Sequence, residues 1–384
     1  MGCFNVSAMA KSRNKVKLGI FVNSAWQAFN FRLELARSLK DYEIIFFGPI
    51  DQNFDQLISK EFEYIHVPLI ADSINPVRDI FLIYSVFREL KKNKIQILLN
   101  FTLKPNIYGP LIASLLKIKS INNITGLGTF FIKESFITLI LYQLYKLSVS
   151  RCDHIFFQNK YDTELFKLKK ILTHNNYSLL PGSGIDIHHF YPQEKTTSEN
   201  FVFLMVARLI KDKGVLEYLQ AAELIKNRLN KNNIVFQLVG EMSPKNKTSI
   251  SIDIINSYIN RGIVNYHGMS NDVREQLKNS DCVVLPSYRE GCPRSLLEAA
   301  SMAIPIITTN VPGCNDIVTH GENGLICNVK DSHDLSLKML DLYQMGSKKR
   351  RKLGDNGRKK MIANFSNKIV FREYKKILMS MYDS

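Results

Sequence analysis

The sequence predicts an α/β protein of two domains, each built on a doubly wound parallel sheet with helices on both faces. Its 384 residues are enough for about two domains. Apolar strand-like runs alternate with amphipathic helical runs, and this alternation stops at a turn-rich stretch near 181–186 and then starts again. Ligands usually bind where the strands of such sheets end, so we expect a site in a cleft between the two domains.

The elements are read from apolar runs that are bounded by polar turns. In the first domain the predicted strands are 17–23, 42–48, 95–101 and 154–159, and the predicted helices are 31–40, 107–116, 136–149 and 160–172. In the second domain the predicted strands are 201–206, 235–239, 264–267, 282–285 and 304–308, and the predicted helices are 215–228 and 271–279. The domains are therefore predicted at 1–185 and 186–365, with a last helix at 366–384.

Composition indicates a globular protein with anionic partners. Apolar residues make up 45% of the chain, and 51 basic against 35 acidic residues give a net charge of +16, spread over both halves. Such a charge favours nucleotides, anionic lipid surfaces or nucleic acid without choosing between them. The six cysteines form no CxxC pair, so we expect a reduced, cytoplasmic protein without a metal site.

One apolar stretch raises the question of a membrane. The first 14 residues lack the apolar core of a secretory signal, and no run reaches the ~20 apolar residues that span a bilayer. The closest run, 136–149, is interrupted by Gln143 and Lys146. It is either a core helix or a helix that lies on an anionic membrane surface.

The chemistry is concentrated in the stretch 288–300. Glu290 and Glu298 stand on either side of a predicted helix start, with Pro293 expected at the first helical position. The free N–H groups of a helix start attract phosphate, whereas carboxylates bind hydroxyls. A ligand that has both groups, a nucleotide sugar, would satisfy this stretch.

A second loop supplies positive charge. Arg208 and Lys213 follow the strand 201–206, in a turn that ends at Gly214. An arginine fork and a lysine suit a diphosphate, and they would stabilise the negative charge that a departing nucleoside diphosphate gains. No D-x-D triplet occurs in the sequence, so we expect no obligatory Mg²⁺ and no other cofactor.

These motifs together resemble the retaining GT-B glycosyltransferase family 4. The matching pieces are 207–214, the E-x₇-E pair Glu290 and Glu298, and the segments 312–318 and 321–325. Within this family, 102–109 and 125–128 resemble the bacterial branch that extends undecaprenyl-diphosphate-linked sugars for O-antigen, capsule or protein glycans, including its N-acetylgalactosaminyltransferases. The resemblance covers nearly the whole chain and implies two Rossmann-like domains, with the last helix packing back onto the first.

The resemblance also implies roles for single residues. Arg208 and Lys213 would grip the donor diphosphate and Glu298 would hold the ribose hydroxyls. Glu290 would bind the donor sugar and act in catalysis, helped by the backbone of Gly291 and Cys292. For the acceptor, our candidates are Arg32, which follows a loop at 23–31 that is bulkier than the family's Gly-Gly turn; Gly126; and Lys104, which replaces a catalytic histidine.

The expected function is therefore transfer of an N-acetylhexosamine or hexose, with retention, from a UDP-sugar to an undecaprenyl-diphosphate-linked saccharide. Such an enzyme of O-antigen or capsule synthesis would lie on the cytoplasmic face of the bacterial inner membrane, without a nucleic-acid partner. Two alternatives remain open. One is a GT-B nucleotide-sugar epimerase or an inverting transferase, and the other is a basic nucleic-acid-binding protein, for which the sequence shows no recognition module.

Overall fold

The computed structural model describes residues 15–51, 53–71, 73, 75–126, 136–195, 199–229, 233–242, 246 and 248–381. By its internal contacts the chain divides into two compact units. The first runs up to Asn122 and includes Arg151–His154, and the second comprises Asn123–Ser150 and the chain from Ile155 onward. The predictions that concern 1–14 and 127–128 lie outside the described residues.

The first sheet has seven strands. They are β1 Val16–Phe21, β2 Tyr42–Gly48, β3 Glu63–His66, β4 Ile97–Phe101, β5 Lys119–Ile124, β6 His154–Phe157 and β7 Tyr177–Leu179. Their order is β3-β2-β1-β4-β5-β6-β7, and β1 pairs in parallel with both β2 and β4. The helices of this half are α1 Ala25–Ser38, α2 Phe54–Ile58, α3 Pro76–Lys92, α4 Leu103–Leu116, α5 Phe136–Val149 and α6 Lys160–Leu168.

The second sheet has six strands and lies within the second unit. They are β8 Phe201–Val206, β9 Ile234–Val239, β10 Asn265–Tyr266, β11 Cys282–Leu285, β12 Ile306–Thr309 and β13 Gly324–Cys327. They pair in parallel in the order β10-β9-β8-β11-β12-β13. The helices are α7 Val215–Leu229, α8 Ile252–Asn260, α9 Arg274–Lys278, α10 Arg294–Ser301, α11 Cys314–Ile317, α12 Ser332–Gln344, α13 Ser347–Lys360 and α14 Asn367–Ser380.

These two sheets confirm the predicted fold class. Strands β8 and β11 lie at the centre of the second sheet, and both are apolar and almost completely buried. Parallel strands that are covered on both faces are expected to be continuously apolar. The loops that follow β8 and β11 therefore leave the same edge of the sheet side by side, which is where the predicted cations and carboxylates lie.

Two local predictions in the first half are wrong. The bulky loop expected at 23–31 is mostly helix, because Ser24 caps α1 by accepting a hydrogen bond from Gln27 N. The helix predicted to begin at residue 107 starts at Leu103, directly after Thr102, whose φ is +76°. Its early proline, Pro105, is tolerated because the first turn of a helix has no backbone partner for that N–H.

Helix α5 has the bounds that the sequence predicts. One face is packed: Tyr145 is buried and meets the ring of Phe166 at 5.2 Å between centroids. The other face exposes Leu139, Ile140 and Leu147. Among the described residues no helix combines the length and apolarity that a bilayer crossing requires.

The last helix, α14, closes the second unit. Tyr374 is buried, its hydroxyl oxygen accepts a hydrogen bond from Asn123 Nδ2 at 2.5 Å, and its ring packs on the Phe156 ring at 4.6 Å between centroids. At its start, Asn367 N donates to the carbonyl of Ile185. The domain boundaries predicted at 185 and 365 stay predictions.

Candidate active site

The loop after β8 carries Arg208 and Lys213. Its residues 211–213 form one 3₁₀ turn that ends at Gly214, whose φ is +73°. A Cβ atom on Gly214 would lie 2.1 Å from the carbonyl oxygen of Pro286, so only glycine lets this loop pass so close to the end of β11. Arg208 is exposed and Lys213 is half-buried.

Lys213 meets the predicted carboxylate of the neighbouring loop. Its Nζ atom lies 2.5 Å from Oε1 of Glu290, and Ser287 Oγ donates to the same oxygen at 2.6 Å. The Glu290 side chain is only 9% exposed, so this ion pair is shielded from water on most sides. The sequence motifs therefore identified two groups, 77 residues apart, that are in direct contact.

Tyr288 joins the same two loops a second time. Its N–H donates to the carbonyl of Asp212 at 2.9 Å, and its hydroxyl donates to Oε1 of Glu217 at 2.6 Å. Burial and the Glu217 carboxylate raise the pKa of Tyr288, so the phenol stays a proton donor. The backbone that presents Glu290 is thus anchored to the loop that presents Lys213.

Glu298 lies on α10, the helix that follows the Glu290 loop. It is buried on α10, and its Oε1 accepts a hydrogen bond from Arg294 Nε at 2.7 Å. Burial raises the pKa of Glu298, while the Arg294 guanidinium partly opposes that rise. The predicted helix begins one residue later than expected, because Pro293 has extended backbone (φ −70°, ψ 116°) and forms the cap.

Three glycine backbones crowd around the Glu290 loop. A Cβ on Gly291 would lie 2.3 Å from the carbonyl oxygen of Thr125 and 3.1 Å from Cα of Gly126. A Cβ on Gly313 would lie 2.6 Å from the carbonyl oxygen of Gly291. The predicted acceptor residue Gly126 and the predicted donor residue Gly291 therefore adjoin, both within the second unit. Cys292 packs on Gly182, whose added Cβ would meet its Sγ at 2.6 Å.

A polar network on α6 was not predicted from the sequence. Arg289 Nη2 lies 2.8 Å from Asp162 Oδ1, and Asn159 Nδ2 donates to Asp162 Oδ2 at 2.9 Å and to the Gly291 carbonyl at 3.3 Å. The Asp162 side chain is 2% exposed. Asn159 also caps α6 by accepting from Asp162 N. The sequence around Asn159 is typical of a helix cap. The contact between Asp162 and Arg289, which are 127 residues apart, follows from no such local pattern.

The two first-unit candidates are engaged in local contacts. Lys104 is buried and pairs with Asp79 Oδ1 at 2.6 Å, and Tyr108 donates to the other oxygen of Asp79 at 2.7 Å. Arg32 is buried, with its guanidinium 4.1 Å from the centre of the Phe101 ring. Their roles towards an acceptor stay predictions.

The structure thus brings some predicted residues together and leaves others apart. Lys213 contacts Glu290, and Gly126 adjoins Gly291, whereas no hydrogen bond described in the structure joins Arg208 or Glu298 to that pair. The described residues contain no cluster of three or more His, Cys, Asp or Glu that would hold a metal ion. A cation beside a carboxylate and tight glycine turns can bind a phosphate and a hydroxylated ring together.

Similarity to known proteins agrees with this geometry. Residues 188–360 match the family described as Glycosyl transferases group 1. The N,N'-diacetylbacillosaminyl-diphospho-undecaprenol alpha-1,3-N-acetylgalactosaminyltransferase of Campylobacter jejuni is 28% identical over 384 residues, which cover 94% of this chain and 98% of that protein. The UDP-Gal:alpha-D-GlcNAc-diphosphoundecaprenol alpha-1,3-galactosyltransferase of Escherichia coli is 27% identical over 297 residues, 74% of each protein.

Solved structures share the fold. HepE of Anabaena, in complex with UDP and glucose, aligns with a TM-score of 0.78 at 15% identity and covers 95% of this chain and 100% of that one. Sucrose-phosphate synthase of Thermosynechococcus elongatus aligns with a TM-score of 0.81 at 15% identity, over 96% and 100%. The chain therefore has the GT-B fold. The match to group 1 covers residues 188–360, and the protein is a glycosyltransferase.

Proposed function

We propose that this glycosyltransferase moves an N-acetylhexosamine or hexose from a UDP-sugar to an undecaprenyl-diphosphate-linked saccharide, with retention, in surface polysaccharide synthesis. The observation that carries the proposal is the contact between Lys213 and Glu290 at the ends of β8 and β11. Two relatives whose names contain an undecaprenol-linked acceptor support the acceptor class. The printed donor of the Escherichia coli relative, UDP-Gal, supports the nucleotide.

In the proposed reaction, Arg208 and Lys213 bind the donor diphosphate and Glu298 binds the ribose hydroxyls. Glu290, Gly291 and Cys292 hold the sugar. The acceptor hydroxyl forms the new bond to the anomeric carbon while the bond from that carbon to the diphosphate oxygen breaks, on the same face. The departing β-phosphate takes the hydroxyl proton, so no nucleophile from the protein is needed. Lys213 stabilises the charge that develops on the leaving group.

For the acceptor we propose Arg32, Lys104 and Gly126. Gly126 carries the best support, because it adjoins Gly291. Lys104 would act through its ammonium group, which Asp79 now holds. We further propose that the protein works without a metal and is peripheral on the cytoplasmic face of the inner membrane, where the acceptor headgroup is accessible.

Transfer from radiolabelled UDP-sugars to an undecaprenyl-diphosphate-linked acceptor tests the proposal. We expect native protein to transfer one sugar, with or without EDTA, and Glu290→Gln to lose about 10²-fold or more of the rate. Glu164→Gln, on an exposed side chain, is the matched control and should keep full activity. Folded native protein that transfers no sugar from any nucleotide donor would overturn the proposal.

The alternatives give different products. NMR of the anomeric proton distinguishes retention from inversion, and an epimerase would convert the nucleotide sugar without an acceptor. A nucleic-acid-binding protein would bind strands tightly with a steep salt dependence and would not respond to UDP. Against that last alternative stand the family match and the relatives' transferase names.

A further inference from the structure

Helix α3 presents an apolar stripe to solvent. Val77, Ile80, Phe81 and Tyr84 are each 58–66% exposed, and their spacing of three and four residues puts them on one face of the helix. The opposite face is buried through Leu82, Val86 and Leu90. Single exposed apolar side chains are ordinary, but four large ones on adjacent turns mark an interaction surface.

The exposed charges on the same helix all have one sign. Arg88 and Lys91 continue the face of the apolar stripe over the next two turns, and Arg78 and Lys92 flank it; all four are exposed. The two acidic residues of α3 are withdrawn from solvent. Asp79 is engaged by Lys104 and Tyr108. The Glu89 side chain is only 11% exposed and pairs with the neighbouring Arg88 at 3.0 Å, so among the described residues Lys91 carries the unpaired charge at this end of the face.

The apolar stripe and the exposed basic side chains of α3 together indicate the kind of partner. We propose that the α3 face, defined by Val77, Ile80, Phe81, Tyr84, Arg88 and Lys91, docks the enzyme on an anionic lipid bilayer. The apolar side chains would enter the boundary between headgroups and acyl chains, and the basic end would bind phosphate headgroups. A second copy of the chain is disfavoured, because a contact through this face would bury basic side chains of both copies, and α3, all of which the structure describes, offers no exposed acidic side chain to pair with them. The inference rests on the proposed function, in which the acceptor is anchored in a membrane.

The α3 face differs from the surface that the sequence suggested. There the candidate was α5, whose exposed face mixes Leu139, Ile140 and Leu147 with Gln143 and Lys146. On the face of α3 that carries the stripe, the apolar residues come first and Arg88 and Lys91 follow, so one end can insert while the other stays at the phosphates. The two helices lie in different units and can be tested separately.

Vesicle flotation tests the docking surface. The probe is a vesicle of phosphatidylcholine with phosphatidylglycerol, and the variant combines Val77→Gln, Ile80→Gln, Phe81→Gln and Tyr84→Gln, since glutamine preserves helix propensity. We expect binding to fall about tenfold or more, and to fall also in Arg88→Gln/Lys91→Gln or in pure phosphatidylcholine. The control variant Leu139→Gln/Ile140→Gln/Leu147→Gln on α5 should bind as native protein does.

A second readout reports insertion directly. In Phe81→Trp, bromine-labelled lipids should quench the new fluorophore, with native protein giving the background from Trp26, the single tryptophan of the chain. Transfer to a short-chain, water-soluble acceptor measures the proposed reaction independently, and all α3 variants should retain it. A protein that transfers sugar to the soluble acceptor but does not bind vesicles would contradict the docking proposal and leave the proposed reaction intact.

Other outcomes also overturn it. One is undiminished vesicle binding by the quadruple α3 variant, and another is loss of binding only in the α5 control. A concentration-dependent dimer in sedimentation that disappears in the quadruple variant would assign the α3 face to a second copy of the chain.

Discussion

Glu298 is a residue where binding and stability are opposed. Its carboxylate is buried, and only the Arg294 guanidinium is described as its side-chain partner. Burying a carboxylate destabilises the folded state unless its partners compensate. The raised pKa of Glu298 expresses this imbalance. Residues that bind a ligand often carry such a penalty, because the ligand supplies the missing hydrogen bonds.

We therefore expect Glu298→Gln to stabilise the protein while weakening nucleotide binding. Because the folded pKa is raised, the folded state binds the proton more tightly, and native stability falls as pH rises through the window between the ordinary and the raised pKa. Chemical unfolding should show that the variant is more stable than the native protein at neutral pH. The gain should vanish in acid, where Glu298 is neutral. UDP affinity should drop about tenfold.

If Glu298→Gln is no more stable than the native protein at neutral pH, the ion pair with Arg294 stabilises the fold by more than the burial of the charge destabilises it. Arg294 is half-buried, so its own loss of partner is partly offset by water.

Asp162 is a second residue-scale prediction. It forms a nearly buried ion pair with Arg289, next to the residue that we propose as catalytic. Asp162→Asn should lower the free energy of unfolding by about 3 kcal/mol, because Arg289 keeps its charge without a counterion. The matched control is Glu164→Gln, which removes an exposed ion pair with Lys167 and should change stability by less than about 1 kcal/mol.

The coupling between the two groups can be measured separately. In Asp162→Asn/Arg289→Gln the charge is gone from both sides, so part of the lost stability should return. Additive losses in urea unfolding would instead mean that the 2.8 Å contact contributes nothing as a pair.

At the scale of elements, continuous apolar runs were sufficient to predict strands. The bounds of β2, β8 and β11 agree with the prediction at both ends. Strand β5 was missed because its sequence is Lys119–Ile124, KSINNI, which is typical of a loop. Its amides are buried all the same, and Asn122 Nδ2 donates to the Asn106 carbonyl. Tertiary hydrogen bonds thus stabilised a strand that local preference does not predict.

Helix α3 was also missed, although Leu82, Val86 and Leu90 recur at helical spacing on its buried face. Its exposed face is apolar as well, and local spacing does not say what each face of such a helix meets. The candidate site shows the same limit. Motifs predicted Lys213 and Glu290, which lie on loops that neighbouring strands present, but the pair of Asp162 and Arg289 depends on a long-range approach that no local pattern encodes.

The turn at Gly214 gives a prediction at the scale of an element. Gly214→Ala should destabilise the protein by roughly 3 kcal/mol and impair donor binding, because Cβ would collide with the Pro286 carbonyl and force apart the loops after β8 and β11. Gly262→Ala is the matched control. It has a similar φ of +65° but nothing within 4 Å, so only the left-handed strain of about 1 kcal/mol remains.

Urea unfolding and UDP titration measure both variants. Equal losses of stability would show that backbone conformation alone, and not the close approach to Pro286, makes glycine necessary at 214.

For the whole molecule, we predict that nucleotide binding stabilises the second unit. The segment 188–360, which matches the group 1 family, lies entirely within that unit. A ligand that binds only the folded protein raises the free energy of unfolding by about 2.7 kcal/mol when its concentration is a hundred times its dissociation constant. In a thermal-shift panel we expect UDP and UDP-sugars to raise Tm, GDP- and dTDP-sugars to have little effect, and EDTA to leave the shift unchanged.

If the two units melt in separate steps, UDP should move only the step of the second unit. A GDP- or dTDP-sugar that raised Tm more than every UDP-sugar would correct the proposed donor. A shift that disappears in EDTA would correct the prediction of metal independence.

The placement of α14 has a consequence for synthesis on the ribosome. Asn123 and Phe156 are translated early, yet Tyr374, which covers both, emerges some 251 positions after Asn123. Until then a buried amide and an aromatic ring remain uncovered, which invites chaperone binding or proteolysis of the nascent chain. Truncated chains that end before residue 374 should accumulate in inclusion bodies even when both sheets are encoded in full.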